Sequence, residues 1–346
     1  MRDTGSMPSA VDVSVVVATR NRASLLGDCL RSLSAQRSDV GLEIVVVDNG
    51  SEDATPQVVQ EWSRLDKRIR SVEQPAIGLS RAKNAGIRSA KGRLLLFTDD
   101  DVVVSDRWIE AHVDFFRRTR GLVVAGGPVL PIAHDLGSWP PWVTDAATAE
   151  LVRLYYGEEE HLLEGFERPW GANMAARREL FDEVGLFNDF VGRIADERGT
   201  FEDVEFVDRV RAAGGQAWYC ASARVYHRVP AAGVELRTIV SVAFVRGGDD
   251  FLRRGRASYF EPALPVPTRR VAAAIALPWM VAGAVLSAAA FRLTAHRAAS
   301  ELARKSAWGT GWCMLASTGL GSALPLRAVR RLTVLFHDFA VRLIPD

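Results

Sequence analysis

The chain has 346 residues, enough for one large domain with an extension or for two domains. With 48% hydrophobic and 25% charged residues it has globular proportions, which exclude wholesale disorder. Lys and Arg number 43 against 42 Asp and Glu, so there is no bulk positive charge for nucleic acid and any phosphate binding must be local.

Cys29, Cys220 and Cys313 are far apart and odd in number, which gives neither a disulfide framework nor metal-ligand spacing and fits a reducing cytosol. Residues 1–10 are polar, lack the apolar stretch of a secretory leader and are expected to form a loose tail. The β-branched run from Val11 to Ala18 predicts a first strand, Thr19 to Arg22 a polar loop, and Leu25, Leu26, Cys29, Leu30 and Leu33 one face of a helix. The unit repeats: Glu43 to Val47 reads as a strand ending at Asp48-Asn49-Gly50-Ser51, and a helix starting near Asp53 to Thr55 carries Val58, Val59 and Trp62. A third strand over Ile69 to Glu73, a helix from Ser80 to about Ala90 and an apolar run from Leu94 to Phe97 follow. Alternating strands and helices with short loops predict an α/β fold, a Rossmann-like, mainly parallel sheet covered by helices on both faces. Thr19 to Arg22, Asp48 to Ser51 and Asp99 to Asp101 would then share the edge at the strand ends, where a nucleotide binds.

Further on, Val123 to Leu130 reads as a strand with a Gly break, Trp139-Pro140-Pro141-Trp142 as an irregular segment, and Pro169 to Ala176 as a short turn or strand. Arg178 to Val184 predicts a helix ending at Gly185. Gly199 to Phe206 opens another that stops at Gly214-Gly215, and Ala217 to Cys220 and Ala223 to His227 are closing strands. The domain so formed spans 11–235. A helical linker is expected over 236–270, punctuated by Pro262, Pro265 and Pro267. Residues 271–346 hold two uncharged stretches, Val271 to Phe291 and Trp308 to Leu326, and a basic tail. Their length qualifies them as membrane-span candidates. A buried or dimerising helical hairpin and an interfacial pair stay open, because Arg269, Arg270, Arg327, Arg330 and Arg331 flank the pair while Arg292, Arg297, Arg304 and Lys305 fill the loop between.

Asp99-Asp100-Asp101 follows the Leu94 to Phe97 strand directly. Crowded carboxylates repel, and a hard divalent cation such as Mg²⁺ or Mn²⁺ relieves that repulsion while binding substrate phosphates. Neighbouring side chains of an extended segment face opposite ways, so one of the three is expected to be a bystander. A solvated acidic turn is the plainer alternative.

Six motifs in order carry a resemblance: Val-Val-Ala-Thr-Arg-Asn-Arg (16–22), Val-Val-Asp-Asn-Gly-Ser (46–51), Arg-Ala-Lys-Asn-Ala-Gly (81–86), Phe-Thr-Asp-Asp-Asp (97–101), Gly-Ala-Asn-Met-Ala (171–175) and Phe-Glu-Asp-Val-Glu (201–205). Together they resemble family 2 glycosyltransferases of the GT-A fold, over roughly residues 11–230. The resemblance implies a nucleotide-diphospho-sugar transferase with a C-terminal helical extension. It implies nucleotide contacts at Thr19, Arg20, Asn21, Arg22 and Asp48, the last also reading as a turn-forming Asp before Asn-Gly. It further implies contacts from Arg81, Lys83 and Asn84 near a helix start to a pyrophosphate, with Lys83 standing where the family usually has Arg. Asp99 and Asp101 would be the metal pair, Asp99 or Asp100 touching the ribose, and His227 completing the metal shell. Trp170, Gly171 and Asn173 would shape the sugar and acceptor side, though core packing serves equally well for Trp170.

Asp203, with Glu202 beside it, is the expected general base, taking the acceptor hydroxyl's proton as its oxygen attacks the anomeric carbon. Thr200-x-x-Asp203 also fits a helix capping box. The reading as a whole is an inverting, metal-assisted transfer from a nucleoside diphosphate sugar, UDP-sugar favoured, to a hydroxyl of a glycan or lipid-linked acceptor. No nucleic-acid partner is expected. The expected location is cytoplasmic, with the cytoplasmic membrane face and a homodimer left open. The rival readings are a nucleotidyltransferase and a non-catalytic nucleotide-sugar-binding scaffold.

Overall fold

The structure is a computed structural model that describes residues 12–133, 152–165, 167–189 and 202–230 and the single positions 139, 143 and 191. The expected linker and both apolar C-terminal stretches lie outside the described residues, as do Thr200 and Phe201. By its contacts the chain divides into Met1–Ile132 with Leu154–Arg228, and Ala133–Arg153 with Val229–Asp346. The described residues belong almost entirely to the first unit.

Three strand–helix units open the domain: β1 (Val13–Thr19), α1 (Ala23–Ser34), β2 (Leu42–Asp48), α2 (Thr55–Leu65), β3 (Ile69–Glu73) and α3 (Leu79–Ser89). Then come β4 (Leu94–Asp99), β5 (Val102–Val104), α4 (Trp108–Arg118), β6 (Val123–Gly126), β7 (Val129–Ala133), β8 (His161–Leu162), β9 (Asn173–Arg177), α5 (Arg178–Val184), α6 (Glu202–Ala212), β10 (Gln216–Tyr219) and β11 (Val225–Val229). Eight strands form one sheet in the order β3-β2-β1-β4-β9-β6-β10-β8, and β5, β11 and β7 form a second. β3, β2, β1 and β4 run parallel, and β9 is antiparallel to both neighbours, β4 and β6.

The apolar runs explain the interior. Val13, Val15, Val16 and Val17 of β1 and Leu95, Leu96 and Phe97 of β4 are buried on both faces, as strands covered by helices require. Leu26, Cys29, Leu30 and Leu33 are the buried stripe of α1, and each fully buried aliphatic side chain contributes roughly 1.5–3 kcal/mol. α3 lies so close to β1 that a Cβ at Gly86 would stand 2.3 Å from Val16 Cγ1, which only glycine permits.

Several elements depart from expectation, the short strands β5 and β8 among them. The run from Val123 to Leu130 is split by Gly127-Pro128 into β6 and β7, which enter different sheets. Helix α4 was not among the expected elements, although Trp108, Ile109, His112, Val113, Phe115 and Phe116 are buried at helical spacing.

Candidate active site

The parallel register puts Thr19 opposite Asp48 and Ala18 opposite Asp99, so the polar ends of β1, β2 and β4 emerge at one edge. Side chains then knit the loops beyond that edge. Asp48 accepts from the Ser51 N–H at 3.0 Å, and Asn21 accepts from the Glu52 N–H at 2.8 Å. Asn49 accepts from the Gly78 N–H at 2.8 Å and donates to the carbonyls of Gln74 and Ala76. Asn21 adopts φ 53°, a left-handed backbone that Asn tolerates better than most residues. In the same loop Arg20 keeps a buried Nε with no hydrogen-bond partner among the described residues.

Within the acidic triplet Asp99 ends β4, and Asp100 and Asp101 form the turn that leads into β5. Asp100 turns inward, accepts from Thr19 Oγ1 at 2.7 Å, and is pushed up to about 7 by burial and then by Asp101, against the Thr19 hydrogen bond. Asp99 and Asp101 turn to the other side, where their oxygens and a ring nitrogen of His227 lie within 4.8 Å of one another. β11 pairs antiparallel with β5, which directly follows the triplet, and sets His227 opposite Val102. The pairing brings a residue from the far end of the domain onto the acidic loop.

His227 Nδ1 is 3.1 Å from the Arg228 carbonyl, and its Nε2 is 3.2 Å from Asp101 Oδ1. Asp101 Oδ1 is buried and accepts no hydrogen bond among the described residues. The Arg22 guanidinium stands 3.7 Å from the other Asp101 oxygen. Two carboxylates and an imidazole converging within 4.8 Å are a fitting donor set for Mg²⁺ or Mn²⁺.

A second cluster forms where α6 begins. Asp203 lies in its first turn, where the free N–H groups favour a negative charge. It accepts from the Gly171 N–H at 2.9 Å and from the Val204 N–H at 2.7 Å. Beside it Glu202 Oε1 meets Lys83 Nζ at 2.7 Å, both side chains being 3% exposed. Burial and then the charge of Glu202 push Asp203 up to about 6, while Lys83 and the two N–H groups hold it down. A carboxylate so tuned is ionised at neutral pH and basic enough to accept a proton.

Residues 14–185 match the sequence profile of glycosyl transferase family 2. The chain carries a family 2 glycosyltransferase domain. It is 38% identical over 110 residues to EpsH of Bacillus subtilis, covering 32% of this chain and 30% of that one. It is 26% identical over 242 residues to a glucosyl-dolichyl phosphate glucuronosyltransferase of Haloferax volcanii, covering 68% of this chain and 75% of that one. The match thus spans under a third of the first relative's length and three quarters of the second's. Among solved structures, mannosyltransferase PcManGT of Pyrobaculum calidifontis, in complex with GDP-Man and Mn²⁺, superposes with a TM-score of 0.50 at 20% identity, over 99% of this chain and 89% of that chain. The fold is that of the GT-A glycosyltransferases. Family membership supports a transferase over the nucleotidyltransferase reading.

In this glycosyltransferase several residues expected at the substrates stand elsewhere. Lys83 does not reach toward a phosphate, because its ammonium is buried against Glu202. Asn84 bonds the Phe187 N–H, the Phe187 carbonyl and Asp189, and so clamps the 187–189 segment. Asn173 is fully buried: it donates to the carbonyls of Pro128 and Ala223 and accepts from Trp108 Nε1, with His112 Nε2 at 3.2 Å. It therefore ties core elements together instead of lining an acceptor site. Arg81 donates to the Ile77 carbonyl at 3.3 Å, and Trp170 packs at the edge of the core. Asn49 was not singled out from sequence. Its signal was its place after a strand-end Asp and before Gly, where a short amide can bond backbone on both sides.

The expected membrane elements lie outside the described residues, and among the described residues no helix is long and apolar enough to cross a membrane.

Proposed function

We propose that the protein is an inverting glycosyltransferase that moves a sugar from a nucleoside diphosphate sugar to an acceptor hydroxyl, with Asp203 as general base. The observation that carries the reading is Asp203 itself, a buried carboxylate raised to about 6 and aimed by the Gly171 and Val204 amides. The acceptor hydroxyl gives its proton to Asp203 while its oxygen bonds to the anomeric carbon. The bond from that carbon to the diphosphate breaks on the opposite face. Arg20 and Arg22 offer planar guanidinium groups to the phosphates at the end of β1, and Asp48 stands where the base would lie at the end of β2.

Asp99, Asp101 and His227 would hold a divalent cation. Such an ion, when bound, stabilises the charge developing on the leaving diphosphate. Mn²⁺ in the complex of the Pyrobaculum mannosyltransferase supports this assignment, and GDP-Man there supports a nucleotide-sugar donor. A UDP-sugar heads the donors to test. The Haloferax relative, a glucosyl-dolichyl phosphate glucuronosyltransferase, supports a lipid-linked acceptor, and the uncharged stretches 271–291 and 308–326 support work at the cytoplasmic face of a membrane.

The test is a panel of nucleoside diphosphate sugars with Mn²⁺ or Mg²⁺, read as turnover and thermal shift, beside Asp203→Asn. One donor should turn over, and Asp203→Asn should lower kcat by ~10²–10⁴-fold while donor binding persists. Because the base works only when ionised, kcat/KM should fall as the pH drops through about 6 and level off above it. An Asp203→Asn protein with full turnover would remove the base from this role.

A further inference from the structure

The buried Lys83 ammonium has no place in the transfer step as derived so far, yet it stands at the centre of the base cluster. It arises from α3, pairs with Glu202 at 2.7 Å and lies 5.5 Å from the centre of the Phe187 ring. A Cβ at position 171 would come within 2.5 Å of its Nζ, so the Gly171 backbone packs directly on the ammonium. The same Gly171 donates its N–H to Asp203. Lys83 therefore reaches Asp203 by two routes, through the charge of Glu202 and through the backbone that aims the carboxylate.

We infer that Lys83 is a positioning residue for the base: it neutralises Glu202 so that Asp203 keeps its own negative charge, and it seats the Gly171 amide that orients that charge. The inference rests on the reading of Asp203 as general base. Two adjacent buried carboxylates without a cation would share a proton, and a shared proton would remove the base. With Lys83 in place, Glu202 spends its charge on the ammonium and Asp203 is left to take the acceptor's proton. The charged groups facing Asp203 are Glu202 on its own helix and Lys83 on α3, and Lys83 is faced in addition by Asp99 at the end of β4. The ammonium thus lies in the field of both the acidic loop and the base. The second Glu202 oxygen is buried without a hydrogen-bond partner among the described residues, so Lys83 carries the compensation for that side chain alone.

The experiment is the pH profile of kcat/KM, with donor KM measured alongside, for the full chain and for Lys83→Met, Glu202→Gln, the double variant and Asp203→Asn. Lys83→Met should move the acid limb up by about one pH unit, costing ~10-fold in rate on that limb, and Glu202→Gln should move it down. The double variant should fall between them, and donor KM should stay within about twofold in all three, an interaction with bound phosphate being absent. A merely structural role would change folding or kcat without opposite movements of the limb. Should Lys83→Met fail to fold with Glu202 left unpaired, Glu202→Gln and the double variant decide the matter. A stationary limb in these variants beside an inactive Asp203→Asn overturns the inference and leaves the base intact. A donor KM raised tenfold in Lys83→Met with a stationary limb makes Lys83 a phosphate ligand instead. Full turnover in Asp203→Asn overturns the base and this inference together.

Discussion

The acidic loop and the start of α6 both gather carboxylates, but they settle the charge in opposite ways. At the loop, Asp99, Asp101 and His227 converge, with Arg22 only 3.7 Å from Asp101, and form a donor set that a cation from outside the chain would complete. At the helix, Glu202 and Asp203 lie in the first turn with Lys83 folded in beside them, so most of the compensation is internal. A cluster that waits for a cation can grip and release a charged leaving group. A cluster that carries its own cation leaves one carboxylate free to take a proton in each turnover.

The strongest way to break this comparison is to take a charge from the loop. Removing metal should leave the protein folded but less stable, because the Asp99 and Asp101 charges then repel unrelieved. Asp101→Asn should abolish metal-dependent turnover and erase the metal-dependent stabilisation, which for the unaltered chain at a metal concentration 100-fold above Kd amounts to about 2.7 kcal/mol. In metal-free buffer the variant should be at least as stable as the unaltered chain. Thermal unfolding with Mn²⁺ and with chelator measures both, and a variant that keeps its Mn²⁺ shift would take Asp101 out of the metal set.

Asn173 provides the next contrast, because it sits between the two clusters in sequence and belongs to neither. Its amide spends both donors on Pro128 and Ala223 and its oxygen on Trp108, so Asn173→Ala strands several buried polar groups at about 1–3 kcal/mol each. The expected result in chemical denaturation is a loss of about 3 kcal/mol or more, with donor KM of the folded fraction unchanged. A normal stability with a raised acceptor KM would return Asn173 to the acceptor side.

Much of this is legible in the sequence. The apolar runs and the polar residues that end them announce β1, β2 and β4 and the edge they share, because both depend on local pattern and parallel register. That one of the three carboxylates stands apart was expected from the chain, but which one was not: Asp100 and Asp101 form the turn between β4 and β5, and the Thr19 hydrogen bond draws Asp100 aside. What could not be read was partner choice across the fold. Lys83 and Asn84 sit in a motif that suggests phosphate, but α3 packs their side chains against segments about a hundred residues away, Glu202 and the 187–189 loop. No local period encodes that encounter. The split of Val123 to Leu130 between two sheets is of the same kind, since Gly127-Pro128 marks a break without saying where each half goes.

The smallest effect belongs to the loop that carries the acidic edge's arginines. Asn21 holds a left-handed backbone at φ 53° and accepts from the Glu52 N–H, so its side chain ties the loop after β1 to the loop after β2. The two contributions separate by substitution. Asn21→Gly keeps the backbone conformation and loses only the acceptor, at a cost below about 1 kcal/mol for a partly solvated bond. Asn21→Ala loses the acceptor and strains the left-handed backbone, which adds about 1 kcal/mol. Denaturation of the two variants should therefore rank Ala below Gly. The reverse order would mean that the loop relaxes out of the left-handed conformation, and Arg20 and Arg22 would then be held by the β1 strand end and the Arg22–Thr55 hydrogen bond rather than by Asn21.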